Sequence, residues 1–104
     1  MDIYVRNPQE VNAIQWTGKN AQKVIEFFYG KGTVKNTSEN KAKFKYFEKT
    51  GKIEFYQKEL PTLVIFKDDY LVKDLGKEDD YPLRISKQIF ESSFTKKVEE
   101  NVSN

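Results

Sequence analysis

The stretch Ala13-Ile-Gln-Trp-Thr-Gly18, running straight into Asn20-Ala-Gln-Lys-Val-Ile-Glu-Phe-Phe28, constrains the fold more than any other part of this sequence. Residues 10–16 read as a strand, with Asn12, Ile14 and Trp16 on one face and Val11, Ala13 and Gln15 on the other. Thr17-Gly18 breaks it. Asn20 stands where a helix N-cap belongs, with a side-chain oxygen to accept an orphan backbone N–H. Ala21, Val24, Ile25 and Phe28 then recur at helical spacing and form an apolar stripe that needs a sheet to cover it. Gly30 and Gly32 supply the stop, and Lys31 suits the negative end of the helix dipole. A helix N-terminus beside the lone tryptophan is a place where an anion could bind. Alternation with Ile14 and the Asn20 cap instead make Trp16 a core residue and the turn a hinge of the fold.

Downstream, residues 33–40 are polar and turn-rich and read as a loop, with room for a short strand at Thr33–Lys35. Lys41–Phe47 and Lys52–Lys58 then read as a β-hairpin around Glu48-Lys-Thr-Gly51, with Gly51 left-handed in the loop. Pairing Phe47 with Lys52 sets Phe44 opposite Phe55, Tyr46 opposite Ile53 and Lys45 opposite Glu54, so apolar meets apolar and opposite charges meet. Leu60-Pro61 punctuates before Thr62–Phe66, an apolar run suited to a central strand. Asp68-Asp69 turns into Tyr70–Lys73, the expected hairpin partner of that run. Asp74–Asp80 is an acidic loop, and Tyr81–Ile85 is extended, as a residue before proline prefers. Ser86 caps a short helix from Lys87 to about Ser93, with Ile85 and Phe90 placed as a hydrophobic staple and Phe94 buried one turn later. From Val98 onward the chain is polar and expected to fray.

Composition removes whole classes of chemistry. The sequence has neither cysteine nor histidine, which excludes disulfides and thiolates and takes away the commonest general base and transition-metal ligand. Eighteen basic against sixteen acidic residues leave a net charge of only +2, too weak to announce a nucleic-acid binder. The N-terminus lacks the plan of a signal peptide, and no apolar run is long enough to span a bilayer, so a cytoplasmic protein without membrane contact is expected. Without a secretory route, the glycosylation patterns at Asn36 and Asn101 are read as coincidence.

Four groups of residues invite a functional reading. The first is the lysine-rich segment. Residues 31–58 hold eight lysines against three glutamates, and Lys41, Lys43 and Lys45 alternate along the expected ribbon with Phe47. Lys52, Tyr56 and Lys58 share that face on the second strand, and lysines interleaved with an aromatic can grip single-stranded nucleic acid. Against this, lysines commonly decorate a solvent face and guard an edge strand, and arginine, the better phosphate reader, is missing.

The second group is the acidic set Asp68, Asp69, Asp74, Glu78, Asp79 and Asp80, which offers carboxylates to a hard cation or a basic partner. It lacks EF-hand spacing, so solvated loop charge is the stronger reading and no metal is expected. The third is the serines at 38, 86, 92, 93 and 103, which sit in no nucleophile context. There is no P-loop or dinucleotide fingerprint, and with no catalytic residue to name, an enzyme is not expected. The fourth is Trp16, Tyr4, Phe27 and Tyr29. The last two fall off the main helical stripe, so they either pack on another element or present an interface patch.

Ala13-Ile-Gln-Trp-Thr-Gly18, Asn20 and the helix ending Phe27-Phe28 resemble a family of small uncharacterised proteins of tailed bacteriophages and prophages. The family's later Gly-Asp-aromatic-aliphatic-aliphatic-basic segment is matched by Asp68-Asp-Tyr-Leu-Val-Lys73. Its Tyr-Pro stretch and short helix with an Ile-Phe pair are matched by Tyr81-Pro82 and Ile89-Phe90. The likeness spans residues about 10–95 and is weakest in the middle. Lys67-Asp68 stands where the family commonly has a Pro-Gly turn, and the loop 74–80 is enlarged. The resemblance implies a phage-encoded protein in the cytoplasm of an infected or lysogenic bacterium, and carries over no catalytic residue.

The expected fold is a single α+β domain over residues 1–97, with a flexible tail at 98–104. It has a curved, mostly antiparallel sheet of five or six short strands, one packed helix and a short C-terminal helix. The expected core is Ile14, Trp16, Val24, Ile25, Phe28, Phe44, Phe55, Val64, Phe66, Val72, Ile89 and Phe90. The expected function is a non-enzymatic interaction protein that binds and modulates a host or phage protein, without cofactor. The alternative is a nucleic-acid-binding accessory protein using the lysine-rich segment 41–58. Contact residues are expected at Lys41, Lys43, Lys45, Lys52, Tyr56 and Lys58, or in the acidic loop at Asp74, Glu78, Asp79 and Asp80. The oligomeric state is left open.

Overall fold

The alternation along residues 10–16 decides the layering. A computed structural model describes residues 2–6, 9–30, 32, 34–76 and 81–96. β1 (Asp2–Arg6) and β2 (Gln9–Gln15) pair antiparallel, and β2 pairs on its other side with β5 (Tyr70–Asp74). β6 (Leu83–Ile85) and β7 (Thr95–Lys96) complete a sheet of order β6-β5-β2-β1-β7. β3 (Lys52–Gln57) and β4 (Leu60–Phe66) form a separate antiparallel pair. Three helices, α1 (Ala21–Tyr29), α2 (Ser38–Thr50) and α3 (Lys87–Ser93), make the domain α+β.

The strands thus divide between two sheets instead of joining one. β1 escaped the sequence reading, although Ile3-Tyr-Val5 before Asn7-Pro8 carries strand and turn signals. Two further expectations fail. Tyr70–Lys73 does not pair with Thr62–Phe66, because β5 is held between β2 and β6. The expected hairpin at 41–58 is absent: residues 38–50 are helical, so Lys52 faces Phe66, Ile53 faces Ile65, Glu54 faces Val64 and Phe55 faces Leu63. Residues 34–37 form no strand.

Local chemistry explains the helix. The Thr37 side chain accepts from the Asn40 N–H at 3.1 Å, an N-cap, and Glu39 sits in the first turn. Lysine, alanine and glutamate are good helix formers. Phe44 and Phe47 are three apart and pack against the core, which a helix permits and a strand forbids. Gly51, at φ 75°, is left-handed as expected, but it ends α2, donating its N–H to the Phe47 carbonyl at 2.8 Å.

Each face of the larger sheet covers its own core. Val11, Ala13, Tyr70 and Val72 meet Phe90 of α3 on one side, with Ile85 and Phe94 half-buried beside them. Tyr70 stacks on Phe90 at 3.8 Å between centroids and Phe90 on Phe94 at 4.6 Å. Ser86 caps α3 by accepting from the Ile89 N–H. On the other side Trp16 and Leu71 pack with Ala21, Val24, Phe27 and Phe28 of α1 and with Ile53, Phe55 and Ile65 of the β3–β4 pair. Six of the expected core residues are buried: Trp16, Val24, Phe28, Phe55, Val72 and Phe90. Ile14, Ile25, Phe44 and Val64 are half-buried. Phe66 is 50% exposed and Ile89 60% exposed, because both point away from the layer that their neighbours fill.

Candidate functional site

Trp16 is fully buried, and its surroundings are structural. Its indole Nε1–H donates to the Gly51 carbonyl at 3.0 Å, which also accepts from the Lys67 N–H at 2.8 Å. Its backbone continues the β2–β5 ladder through Trp16 N–H to the Asp69 carbonyl at 2.8 Å and Asp68 N–H to the Trp16 carbonyl at 2.6 Å. Gly18 takes φ 90° in the turn that follows. Asn20 occupies the N-cap position but makes no cap bond. Its Oδ1 accepts from the Thr17 N–H and hydroxyl at 3.0 and 3.1 Å, while its Nδ2 donates to the Gln15 carbonyl at 2.9 Å. Asn20 therefore closes the turn. The helix start is served from elsewhere: the Ala21 N–H donates to Glu48 Oε2 of α2 at 3.3 Å. The anion position suggested by the sequence is filled by the chain's own carboxylate.

The acidic residues separate. Asp69 is buried, its Oδ2 accepting from the Phe66 N–H at 2.8 Å and from Arg84 Nε at 2.7 Å. Asp68 is exposed at φ 81° in an i to i+3 turn closed by the Asp69 N–H on the Phe66 carbonyl. Asp74 is half-buried at the end of β5, and Glu78, Asp79 and Asp80 lie outside the described residues. Among the described residues no three potential ligand side chains converge on a metal position. No helix among them is long and apolar enough to cross a membrane.

The contact residues expected on one ribbon face are distributed over three elements. Lys41 and Lys45 are exposed on α2 and, with Lys49, recur every four residues along one helical face. Lys52 begins β3, and Lys58 lies in the turn between β3 and β4. Lys43 and Tyr56 face a groove that sequence reading missed.

This groove, about 650 Å³, lies between α1, α2 and β3. Ile25, Phe44, Phe47 and Phe55 line it, and the partly or largely exposed rings of Tyr29, Tyr46 and Tyr56 add to its walls. Lys43 and Glu54 are the charged residues lining it. The Tyr29 hydroxyl accepts from the Tyr56 N–H at 3.1 Å and lies 3.4 Å from the Tyr56 carbonyl, fixing the wall where α1 meets β3. Burial pushes the Tyr29 hydroxyl above its ordinary pKa of 10.0, against the opposing effect of the Tyr56 backbone bond. Of the two off-stripe aromatics, Phe27 packs in the core and Tyr29 joins the groove; the side chain of Tyr4 lies outside the described residues. Phe44 and Phe47 at helical spacing are the signal that would have placed α2 against α1.

No family model, curated protein or solved structure matches this chain.

Proposed function

We propose that this chain is a non-enzymatic, phage-encoded interaction protein that works in the cytoplasm of the host cell. There it binds and modulates a host or phage protein through the groove between α1, α2 and β3. The observation that carries this reading is the exposure of Tyr46 and Tyr56, at 63% and 75%, over an apolar groove floor. Tyrosines of this kind are favoured interface anchors, since a large ring is ordered at small entropic cost. Lys43 in the groove, and Lys41, Lys45 and Lys49 along α2, favour a partner segment in which an apolar anchor is flanked by carboxylates. The phage origin rests on the resemblance at Ala13–Gly18, Asn20, Asp68–Lys73 and Tyr81-Pro82.

The Lys41, Lys45 and Lys49 stripe beside Tyr46 supports a second reading, in which lysines meet phosphates and the tyrosine stacks on a base. Salt separates the two. Capture from bacterial lysate on immobilised protein should recover one dominant protein, lost with Tyr46→Ala or Tyr56→Ala and retained at moderate salt. Binding of labelled single-stranded DNA that falls steeply with salt and disappears with Lys41→Glu/Lys45→Glu would establish the nucleic-acid reading instead.

A further inference from the structure

The two walls of the groove between α1, α2 and β3 narrow what can lie in it. The Gly51 carbonyl takes the Lys67 N–H, so the backbone groups of Ile53 and Phe55 point toward β4 and those of Lys52, Glu54 and Tyr56 point away from it. The Tyr29 hydroxyl serves both outward groups of Tyr56, accepting from the N–H at 3.1 Å and lying 3.4 Å from the carbonyl. The Thr50 hydroxyl lies 3.4 Å from both groups of Lys52. A partner strand laid along β3 would have to displace both hydroxyls, so the groove is read through side chains instead of by strand addition. The opposite wall, α2, contributes residues from Asn40 to Phe47. At 1.5 Å per residue this is about 10 Å. A helix of that length has two turns, too few to hold together before it docks. One turn of polyproline II, three residues at about 3.1 Å each, covers the same length and is formed in advance.

The side chains suit that backbone. Polyproline II makes no internal hydrogen bonds, so its carbonyls need donors, whereas a helix satisfies its own. Tyr46 on α2 and Tyr56 on β3 are largely exposed, and among the described residues neither hydroxyl has a hydrogen-bond partner. Each offers a ring face to a pyrrolidine and an O–H to a carbonyl. Phe44, Phe47 and Phe55 supply apolar surface between them. The charges add a direction. Lys43 stands on the α2 wall and Glu54 on the β3 wall. A carboxylate is therefore favoured beside α2, where Lys41, Lys45 and Lys49 extend the positive charge, and disfavoured beside Glu54.

We propose, resting on the reading that this groove is the binding site, that it takes a proline-rich segment of the partner in the polyproline II conformation. The segment carries prolines three residues apart and an acidic residue at one end. Selection from a ribosome-displayed random peptide library on the immobilised full chain tests it, with the Tyr46→Ala/Tyr56→Ala chain as counter-selection. Enriched peptides should carry Pro-x-x-Pro with Asp or Glu on one side only. For a fluorescein-labelled synthetic peptide of the enriched sequence, replacing both prolines with alanine should weaken binding by about tenfold or more. Tyr46→Phe and Tyr56→Phe keep the ring and lose only the hydroxyl, and each should weaken binding by about fivefold, the size of one hydrogen bond. Both positions are exposed, so these chains should keep the circular dichroism of the wild type. Enriched peptides without paired prolines, or affinities indifferent to loss of the hydroxyls, would overturn the proposal while leaving the groove as the site. No enrichment would also overturn it, and capture from lysate then decides the groove reading by itself. Peptides that bind the Tyr46→Ala/Tyr56→Ala chain equally well would overturn both.

Discussion

The indole of Trp16 donates to the carbonyl of Gly51 at 3.0 Å, joining the end of β2 to the residue that both ends α2 and precedes β3. Gly51 also receives the Lys67 N–H, so one carbonyl gathers the strand–turn–helix unit, the lysine-rich helix and the β3–β4 pair. Trp16→Phe should therefore cost about 2 kcal/mol, combining lost burial with a lost hydrogen bond. Gly51→Ala should cost about 1 kcal/mol through its left-handed backbone. Urea unfolding followed by circular dichroism measures both, and an unchanged midpoint for either would refute this role.

The turn at Phe66–Asp69 has Asp68 at φ 81° in its third position, where a type II turn favours glycine. Asp68→Gly should stabilise the protein by about 0.5 kcal/mol, read as a raised Tm in dilute solution. A lowered Tm would mean that the Asp68 carboxylate contributes more than the backbone conformation costs.

Tyr29 holds its proton more tightly in the fold than in the unfolded chain, chiefly through burial. The folded form thus binds more protons above pH 10, and stability falls as pH rises through that range. Below pH 10 the effect is absent. Tyr29→Phe should be less stable near neutrality, having lost the Tyr56 backbone bond, yet decline less steeply above pH 10. Parallel slopes for the two proteins would contradict this.

Glu48 supplies the carboxylate at the start of α1. Glu48→Gln should cost about 0.5 kcal/mol, a difference that shrinks with added salt, and should speed amide exchange at Ala21. Unchanged exchange there would show that the contact does not hold the helix start.

The strand alternation at residues 10–16, the stripe of α1 and the Ser86 cap were legible because each is a local pattern with one structural solution. Segment 38–50 was not. Its lysines alternate in a way that satisfies a strand, and the cross-strand pairs that it offers with residues 52–58 are each chemically sound. What decides for the helix is tertiary: Phe44 and Phe47 find α1 and the β3–β4 pair, and Gly51 serves α2 as its left-handed cap. The groove was illegible for the same reason, since it exists only once α2 is a helix lying against α1 and β3.

Site-specific photocrosslinking shows whether the groove between α1, α2 and β3 holds the partner. A benzophenone side chain replaces Tyr46 or Tyr56, both exposed, and in a control replaces Leu83, 70% exposed on β6 and outside the groove. After irradiation in bacterial cells, the two groove positions should yield the same covalent protein adduct and the control should not. Adducts to nucleic acid, or identical adducts from all three positions, would contradict the account.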